Sequence, residues 1–140
     1  MTAPRLVIGA LALAWAFATS AQAQPATLTL ACKGTTTDSS APDAKQPFST
    51  SIMLDFNARA VQGFGQPGLI DYPIRITATN DVTIAFQGQH ALSSSTLSIM
   101  GTIDRITGDL EATSQLYDEK EQKIRSETTY TLQCRPARLF

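Results

Sequence analysis

The chain has 140 residues, with 11 basic and 12 acidic side chains and a formal net charge of −1. This length fits one domain with a single hydrophobic core. The balanced charge, without a basic cluster interleaved with aromatic residues, argues against nucleic acid or an anionic membrane surface as the main partner.

The N-terminus is typical of a secretory signal peptide. Arg5 supplies the positive start, residues 6–18 form an apolar stretch, and Ala21-Gln22-Ala23 is a small-x-small cleavage signal. The apolar stretch is too short for a membrane span, and we expect no transmembrane segment in the mature chain. We therefore predict a signal peptide over residues 1–23 and a single β domain over residues 24–140, which is periplasmic or secreted after cleavage near Ala23. Without Arg5, ten basic residues face twelve acidic ones, a net charge of minus two.

Cys32 and Cys134 are the two cysteines of the chain. Each ends a run in which apolar and polar residues alternate, residues 28–32 and residues 130–134, so each sulfur lies on the apolar face of a strand. In an exported chain this pattern predicts a disulfide, with a free pair of thiols as the alternative. The bridge would close a loop of about 100 residues and stabilise the fold by roughly 4–5 kcal/mol. We expect the first and last strands to meet.

Period-two alternation predicts short strands along the whole chain. They cover residues 27–33, 50–56, 61–64, 72–79, 82–87, 96–103, 109–116 and 124–134. Residues 34–49 are rich in Thr, Ser, Asp and Pro and lack apolar periodicity, which predicts a long surface loop that is functional or disordered. Residues 88–95 are predicted as a polar loop, residues 117–122 as a charged loop and residues 135–140 as a tail.

One hairpin is predicted between the strands at residues 72–79 and 82–87. Directly opposed residues share a face of the sheet, so Ala78 should oppose Val82 across a three-residue loop. Asn80 and Asp81 tolerate the positive φ that such a loop requires. Pro73, which removes a backbone donor, is expected at a strand end or a sheet edge.

A second hairpin is predicted around residues 105–108. Ile103 opposite Leu110 keeps both apolar faces together, and Gly108 is suited to the left-handed position of a four-residue turn. Residues 54–61 share the outline of residues 103–110, which indicates two hairpins of one type.

The fold class follows from these elements. Seven or eight strands with one apolar face, and no helix after the leader, indicate an all-β antiparallel meander that forms a small barrel or sandwich closed by one disulfide. The paired cysteines favour the barrel. Outward positions such as Thr29, Ser51 and Thr102 are polar, whereas an outer-membrane barrel has an apolar outer band, so we do not expect that class.

Few residues are candidates for catalysis or metal binding. His90 is the single histidine and the one side chain suited to acid–base chemistry near neutral pH. No acidic residue stands near it in sequence, and Ser94 is not part of a Gly-x-Ser-x-Gly elbow. One histidine and two disulfide-committed cysteines exclude the usual zinc sets, and carboxylate pairs such as Asp109 and Glu111 are most simply solvated. We predict no enzyme, no cofactor and no metal site.

The outline of the chain resembles small exported bacterial β-barrel proteins. The resemblance rests on a signal peptide, Leu30-Ala31-Cys32-Lys33-Gly34 in the first strand and Tyr130-Thr131-Leu132-Gln133-Cys134 in the last. Among such proteins with a known role, it is similar to the periplasmic or membrane-bound inhibitors of c-type lysozyme, which implies a periplasmic antiparallel barrel. The Ser-Gly-x-x-Tyr segment with which that family inhibits is missing, and Ser93-Ser94-Ser95-Thr96 does not reproduce it, so no binding residue is carried over.

The function expected from the sequence is binding. An eight-stranded barrel either fills its interior or holds one small ligand, and the predicted inward residues are large. We expect a monomeric, non-catalytic barrel that binds a protein partner, or a small apolar ligand, through its loops, with no role in nucleic-acid binding. The alternatives are a lysozyme or other hydrolase inhibitor that inserts residues 34–49 or 88–95, and a hydrolase that uses His90.

Overall fold

The computed structural model describes residues 26–64 and 73–137. Its strands are β1 Thr27–Asp38, β2 Ala41–Asp55, β3 Ala60–Gln62, β4 Ile74–Thr79, β5 Thr83–Ala91, β6 Ser95–Asp104, β7 Asp109–Asp118 and β8 Lys123–Pro136. Each strand pairs antiparallel with the next, and β8 pairs with β1, so the eight strands form a closed barrel. The predicted all-β class and the barrel are confirmed. The predicted signal peptide lies outside the described residues, and in the described part of the chain no helix could cross a membrane.

The disulfide joins the two ends of the sheet. Cys32 on β1 stands directly opposite Cys134 on β8, with their Cα atoms 4.0 Å apart and their sulfurs 2.06 Å apart. Both side chains are buried inside the barrel. The predicted bridge and the predicted meeting of first and last strands are confirmed.

The apolar core fills the lower half of the barrel. We call the end with the β2–β3, β4–β5 and β6–β7 turns the lower end, and the end with the β1–β2, β5–β6 and β7–β8 turns the upper end. All eight strands contribute buried side chains to this core, and each of them is at most 6% exposed. They are Leu30, Cys32, Ile52, Leu54, Val61, Phe64, Ile74, Ile76, Ile84, Phe86, Ile99, Ile103, Leu110, Ala112, Tyr130, Leu132 and Cys134.

Three of the turns are built alike. In each, an aspartate closes a strand and its carboxylate accepts a hydrogen bond from backbone N–H groups two or three residues later: Asp55 from Ala58, Asp104 from Ile106 and Thr107, and Asp118 from Lys120 and Glu121. The fourth residue after each aspartate has a positive φ: 53° at Arg59, 81° at Gly108 and 50° at Gln122. The predicted likeness of the first two hairpins is therefore confirmed, as is the left-handed Gly108. Ile103 pairs with Leu110 as predicted.

The prediction of a loop at residues 34–49 is wrong. β1 and β2 continue through this segment as one long hairpin whose turn is at Ser39 and Ser40. The upper part of β1 also pairs with β8, from Gly34 opposite Leu132 to Asp38 opposite Thr128. Backbone pairing on both sides of β1 thus holds a polar segment in strand conformation without an apolar face.

The predicted loop at residues 88–95 is wrong for the same reason. β5 continues to Ala91 and pairs with β6, with His90 opposite Leu97 and Ala91 opposite Thr96, so that only residues 92–94 form the turn. The strand boundaries of β7, β8 and β3 also differ from prediction by a few residues. β7 ends at Asp118, β8 reaches Pro136, and Phe64 is buried beyond the end of β3.

The predicted register between β4 and β5 is wrong. Ile76 opposes Phe86, but Ala78 opposes Ala85, so Thr77 is an extra residue in a β-bulge. Val82 consequently lies outside the ladder and is 46% exposed. The Asn80 side chain closes the turn by accepting hydrogen bonds from the Val82 and Thr83 amides at 2.8 and 2.7 Å, and neither Asn80 nor Asp81 has a positive φ. Pro73 directly precedes β4, as expected for a strand end.

Candidate functional site: the upper end of the barrel

The inward face of the barrel changes character above the core. Alternation continues along each strand, but the inward positions become hydroxyl groups, an imidazole and two leucines. We call this region the mouth and define it by His90 on β5, Leu97 on β6, Ser114 and Leu116 on β7, and Ser126 and Thr128 on β8. The register places them in two adjoining rows: Ser114 stands beside Thr128, and Leu116 stands between Leu97 and Ser126.

The mouth is open, whereas the barrel below it is filled. Ile84 and Leu110 face inward in the core and are fully or almost fully buried. His90, Leu116 and Ser126 face inward in the mouth and remain half-buried. A side chain on the inner face of a closed barrel reaches solvent only through the barrel end or a gap in the wall, so this partial exposure reports accessible space inside the upper barrel.

Aromatic rings form the floor of the mouth. Phe86 and Tyr130 lie in the row directly below Ser114, joined through Gly101 and Ala112 in the sheet register. Phe64 contacts both rings, with centroid distances of 5.8 Å to Phe86 and 5.1 Å to Tyr130. Phe48 packs edge-on against Tyr130 at 5.3 Å. Tilted and edge-to-face contacts of this kind hold the rings in fixed positions, so the floor is apolar and closely packed.

Two carboxylates stand at the rim of the mouth, and both already have partners. Asp118 accepts hydrogen bonds from the Lys120 and Glu121 amides at 2.9 and 3.0 Å, and its Oδ2 lies 2.7 Å from Arg125 Nε. These contacts, first among them the Glu121 amide, lower the pKa of Asp118 below its ordinary value of 3.8.

Asp38, at the tip of β1, is satisfied in the same way. Its Oδ1 accepts hydrogen bonds from the Ser40 hydroxyl at 2.6 Å and the Ser40 amide at 2.8 Å, and these lower the pKa of Asp38 below 3.8. Its Oδ2 lies 3.4 Å from the Thr128 hydroxyl of the mouth. The fixed donors therefore favour the ionised form of both rim carboxylates.

The residues considered as catalytic candidates lie in different parts of the barrel. His90 projects into the mouth opposite Leu97, whereas Ser94 lies in the β5–β6 turn, where its carbonyl accepts a hydrogen bond from the Glu119 amide. A hydrolase that uses His90 remains a hypothesis, for which His90→Ala should abolish turnover. Asp109 and Glu111 lie on the outer wall near the lower end, beside a shallow surface cavity of about 300 Å³. Among the described residues no group of three or more His, Cys, Asp or Glu side chains is arranged to hold a metal ion.

Sequence patterns did not identify the mouth as a site. The alternation over residues 109–116 correctly places Ser114 on the inward face, between Ala112 and Leu116. A serine on an otherwise apolar strand face was the available signal. This signal could not be interpreted without the register, because only the pairing of β7 with β8 brings Ser114 beside Thr128 and places Ser126 in the next row.

The chain was compared with known proteins by sequence and by structure. The similarity to lysozyme inhibitors rests on the outline of the two cysteine-bearing strands and therefore stays a hypothesis. No family model matches the sequence, and no curated protein and no solved structure matches it either.

Proposed function

We propose that this protein is a non-catalytic binding protein that takes a small, largely apolar molecule into the mouth of its barrel. The observation that carries this proposal is the contrast between a filled lower barrel and the inward side chains of His90, Leu116 and Ser126, which stay partly exposed above it. An eight-stranded barrel has room for one small ligand, and ligand sites combine apolar walls with a few polar groups. Leu97 and Leu116 supply such walls, and the hydroxyl groups supply the polar contacts.

The place of action that we propose is the periplasm or the exterior of the cell. A disulfide persists in oxidising compartments, and Cys32–Cys134 joins the first and last strands of the barrel. The signal peptide predicted over residues 1–23 would deliver the chain there. The intact mass of the protein recovered from the periplasm should correspond to a chain that begins at Gln24, with or without cyclisation of that glutamine.

Titration with the neutral fluorescent dye N-phenylnaphthylamine tests the binding proposal. Wild-type protein should enhance the dye fluorescence saturably. Leu116→Trp should abolish the enhancement, because the indole would occupy the space between Leu97 and Ser126. Tyr117→Trp is the matched control, because Tyr117 is the next residue on β7 and lies on the outer wall. Equal dye binding by both variants, with both folded by circular dichroism, would contradict a site in the mouth.

A second candidate, a contact with a protein partner, is supported by the β1–β2 hairpin. Residues 41–47 of β2 are exposed throughout, which gives an arm at the upper end. The arm is fixed in position, because the Ser39 amide donates to the Glu127 carbonyl at 2.8 Å and the Glu127 amide donates to the Ser39 hydroxyl at 3.1 Å. An inhibitor of the lysozyme-inhibitor kind would use this arm to form a stoichiometric complex. Size-exclusion chromatography with c-type lysozyme, before and after replacement of residues 42–46 by glycine and serine, tests that version.

A further inference from the structure

Ser114 is a buried hydroxyl group at the bottom of the mouth. Its residue is only 5% exposed, and its side chain makes no hydrogen bond with the described part of the chain. Every fully enclosed side-chain nitrogen or oxygen among the described residues does have a partner. The Ser114 oxygen is therefore not fully enclosed, and because the side chain faces inward, its small accessible surface faces the interior of the upper barrel. A hydroxyl group so placed offers one hydrogen bond to whatever enters.

The carboxylates nearest this hydroxyl already have partners: Asp38, which lies 3.4 Å from the Thr128 hydroxyl, accepts hydrogen bonds from Ser40, and Asp118 pairs with Arg125. The inward positions on either side of Ser114 in the sheet are Ile99 and Thr128, which are uncharged. Asp118 and Arg125 pair with each other at 2.7 Å above it. Burying a charged group against hydroxyls alone costs far more than burying a neutral hydrogen-bonding group, because no counter-charge replaces the lost water. An anion would also meet the Asp38 carboxylate beyond Thr128, and a cation would find that carboxylate already bonded to Ser40, while the His90 imidazole faces inward one row higher. The depth of the mouth thus favours a neutral group over either ion.

The walls above Ser114 are apolar. Leu97 is buried and Leu116 is half-buried, and they face inward side by side in the row above Ser114. A molecule that reaches Ser114 must pack its body against these two side chains. Its far end would meet the polar rim, where Ser95 stands opposite Asp118.

We propose that the ligand of the mouth is a compact uncharged molecule that carries an alcohol-type or amide-type group on an apolar body. The polar group hydrogen-bonds to the Ser114 hydroxyl, and the body packs between Leu97 and Leu116. This assignment rests on the proposed function, because it describes what occupies the same mouth.

Three ligands with one eight-carbon chain test the charge requirement. Octanol, octanoate and octylamine are titrated by isothermal calorimetry at about pH 8, where carboxylic acids are ionised and alkylamines are protonated. Octanol should bind at least about tenfold more tightly than either ion. Equal or tighter binding of octanoate or octylamine would overturn the assignment. If the neutral dye binds and octanol does not, the assignment fails and the proposed function stands, whereas failure of both overturns both.

Substitution of Ser114 tests the hydrogen bond. Ser114→Ala should weaken octanol binding about five- to tenfold and dye binding much less, because the dye binds mainly through its aromatic rings and has only one weak N–H group. Ser98→Ala is the matched control, because Ser98 is a serine on the outward face of the neighbouring β6 and should change neither affinity. If Ser114→Ala fails to fold, Ser114→Cys is tested in its place. Its thiol group is similar in size to the hydroxyl but is a weak hydrogen-bond donor, so the variant should also bind octanol less well. Unchanged octanol affinity in the folded Ser114 variant would contradict the contact.

Discussion

Gly101 shows how one residue can fix the shape of the barrel interior. It faces inward on β6, and a Cβ atom built on it would lie 2.6 Å from Phe86 Cζ and 2.7 Å from Ala112 Cβ. The Phe86 ring occupies the space that a side chain would take. Gly101 therefore lets a large ring close the floor of the mouth within a barrel of only eight strands.

We expect Gly101→Ala to destabilise the protein. The added methyl group must displace Phe86 or the neighbouring backbone, and overpacking of this kind costs about 1–3 kcal/mol. Urea unfolding should show the loss as a lower midpoint. Thr102→Ala, on the exposed face one residue later, is the control and should change stability by no more than about 0.5 kcal/mol. A Gly101→Ala protein as stable as wild type would mean that Phe86 moves freely, and the floor would not be rigid.

For single residues, the sequence predicts whether a side chain faces inward better than it predicts what that side chain does. Alternation correctly places Gly101, Ser114 and the cysteines on the inward face. It fails at Val82, because the bulge at Thr77 shifts the register by one residue and no residue pattern marks it. Arg59 supports that bulge by donating to the Ile76 and Thr77 carbonyls, a contact between distant parts of the chain.

At the scale of elements, the three aspartate turns are the recurrent device. The sequence predicts the left-handed position at Gly108, because glycine adopts positive φ without strain. The same position in the other two turns is occupied by Arg59 and Gln122, which carry no such signal. The shared feature that could have found them is the aspartate itself, whose carboxylate caps the turn amides.

Because of these turns, the stability of the fold depends on pH in the acid range. The pKa values of Asp104 and Asp118 are lowered chiefly by the backbone donors of their turns. Because the folded pKa lies below the unfolded one, each carboxylate stabilises the fold above the ordinary value of 3.8 and loses that contribution as pH falls through the folded pKa. We expect the free energy of unfolding to fall progressively below about pH 4.

Asp118→Asn isolates one of these contributions. The amide oxygen can still accept from the Lys120 and Glu121 amides, but the charge is lost. The variant should be less stable than wild type at neutral pH, and the difference should shrink as pH falls, as measured by urea unfolding across the acid range. Asp81→Asn is the control, because Asp81 is exposed and its carboxylate accepts no hydrogen bond from the described residues. A pH-independent difference for Asp118→Asn would contradict the role of its charge.

The whole molecule is a barrel whose two halves differ in chemistry. The lower half could be predicted from the sequence, because its strands carry the apolar face that period-two alternation detects. The upper half could not, because residues 34–38 and 88–91 are strands through backbone pairing and not through an apolar face: residues 34–38 pair with β8 at the other end of the chain, and residues 88–91 pair with β6 across a short turn. Because the inward residues of these segments are polar, their sequences resemble those of loops. That same polarity makes the upper half a candidate binding site.

The disulfide also shapes the molecule as a whole. Cys32 and Cys134 are separated by 102 residues, and their bond ties the closing pair of strands inside the filled half. The bridge thus holds β1 beside β8 below the mouth, and the β1–β8 pairing continues upward until Asp38 at the rim stands opposite Thr128 of the mouth. The wall of the barrel on that side is therefore continuous from the core to the rim.

The most direct test of the account is native mass spectrometry of the protein purified gently from its own compartment. A barrel that carries a ligand in its mouth should show an added mass of a few hundred daltons, released on unfolding and absent from the Leu116→Trp variant. The added species should be uncharged in its free form. Protein that is repeatedly recovered as the bare disulfide-bonded chain, and that also fails to bind the neutral dye, would contradict the ligand-binding barrel. The β1–β2 arm and a protein partner would then be the better account of its function.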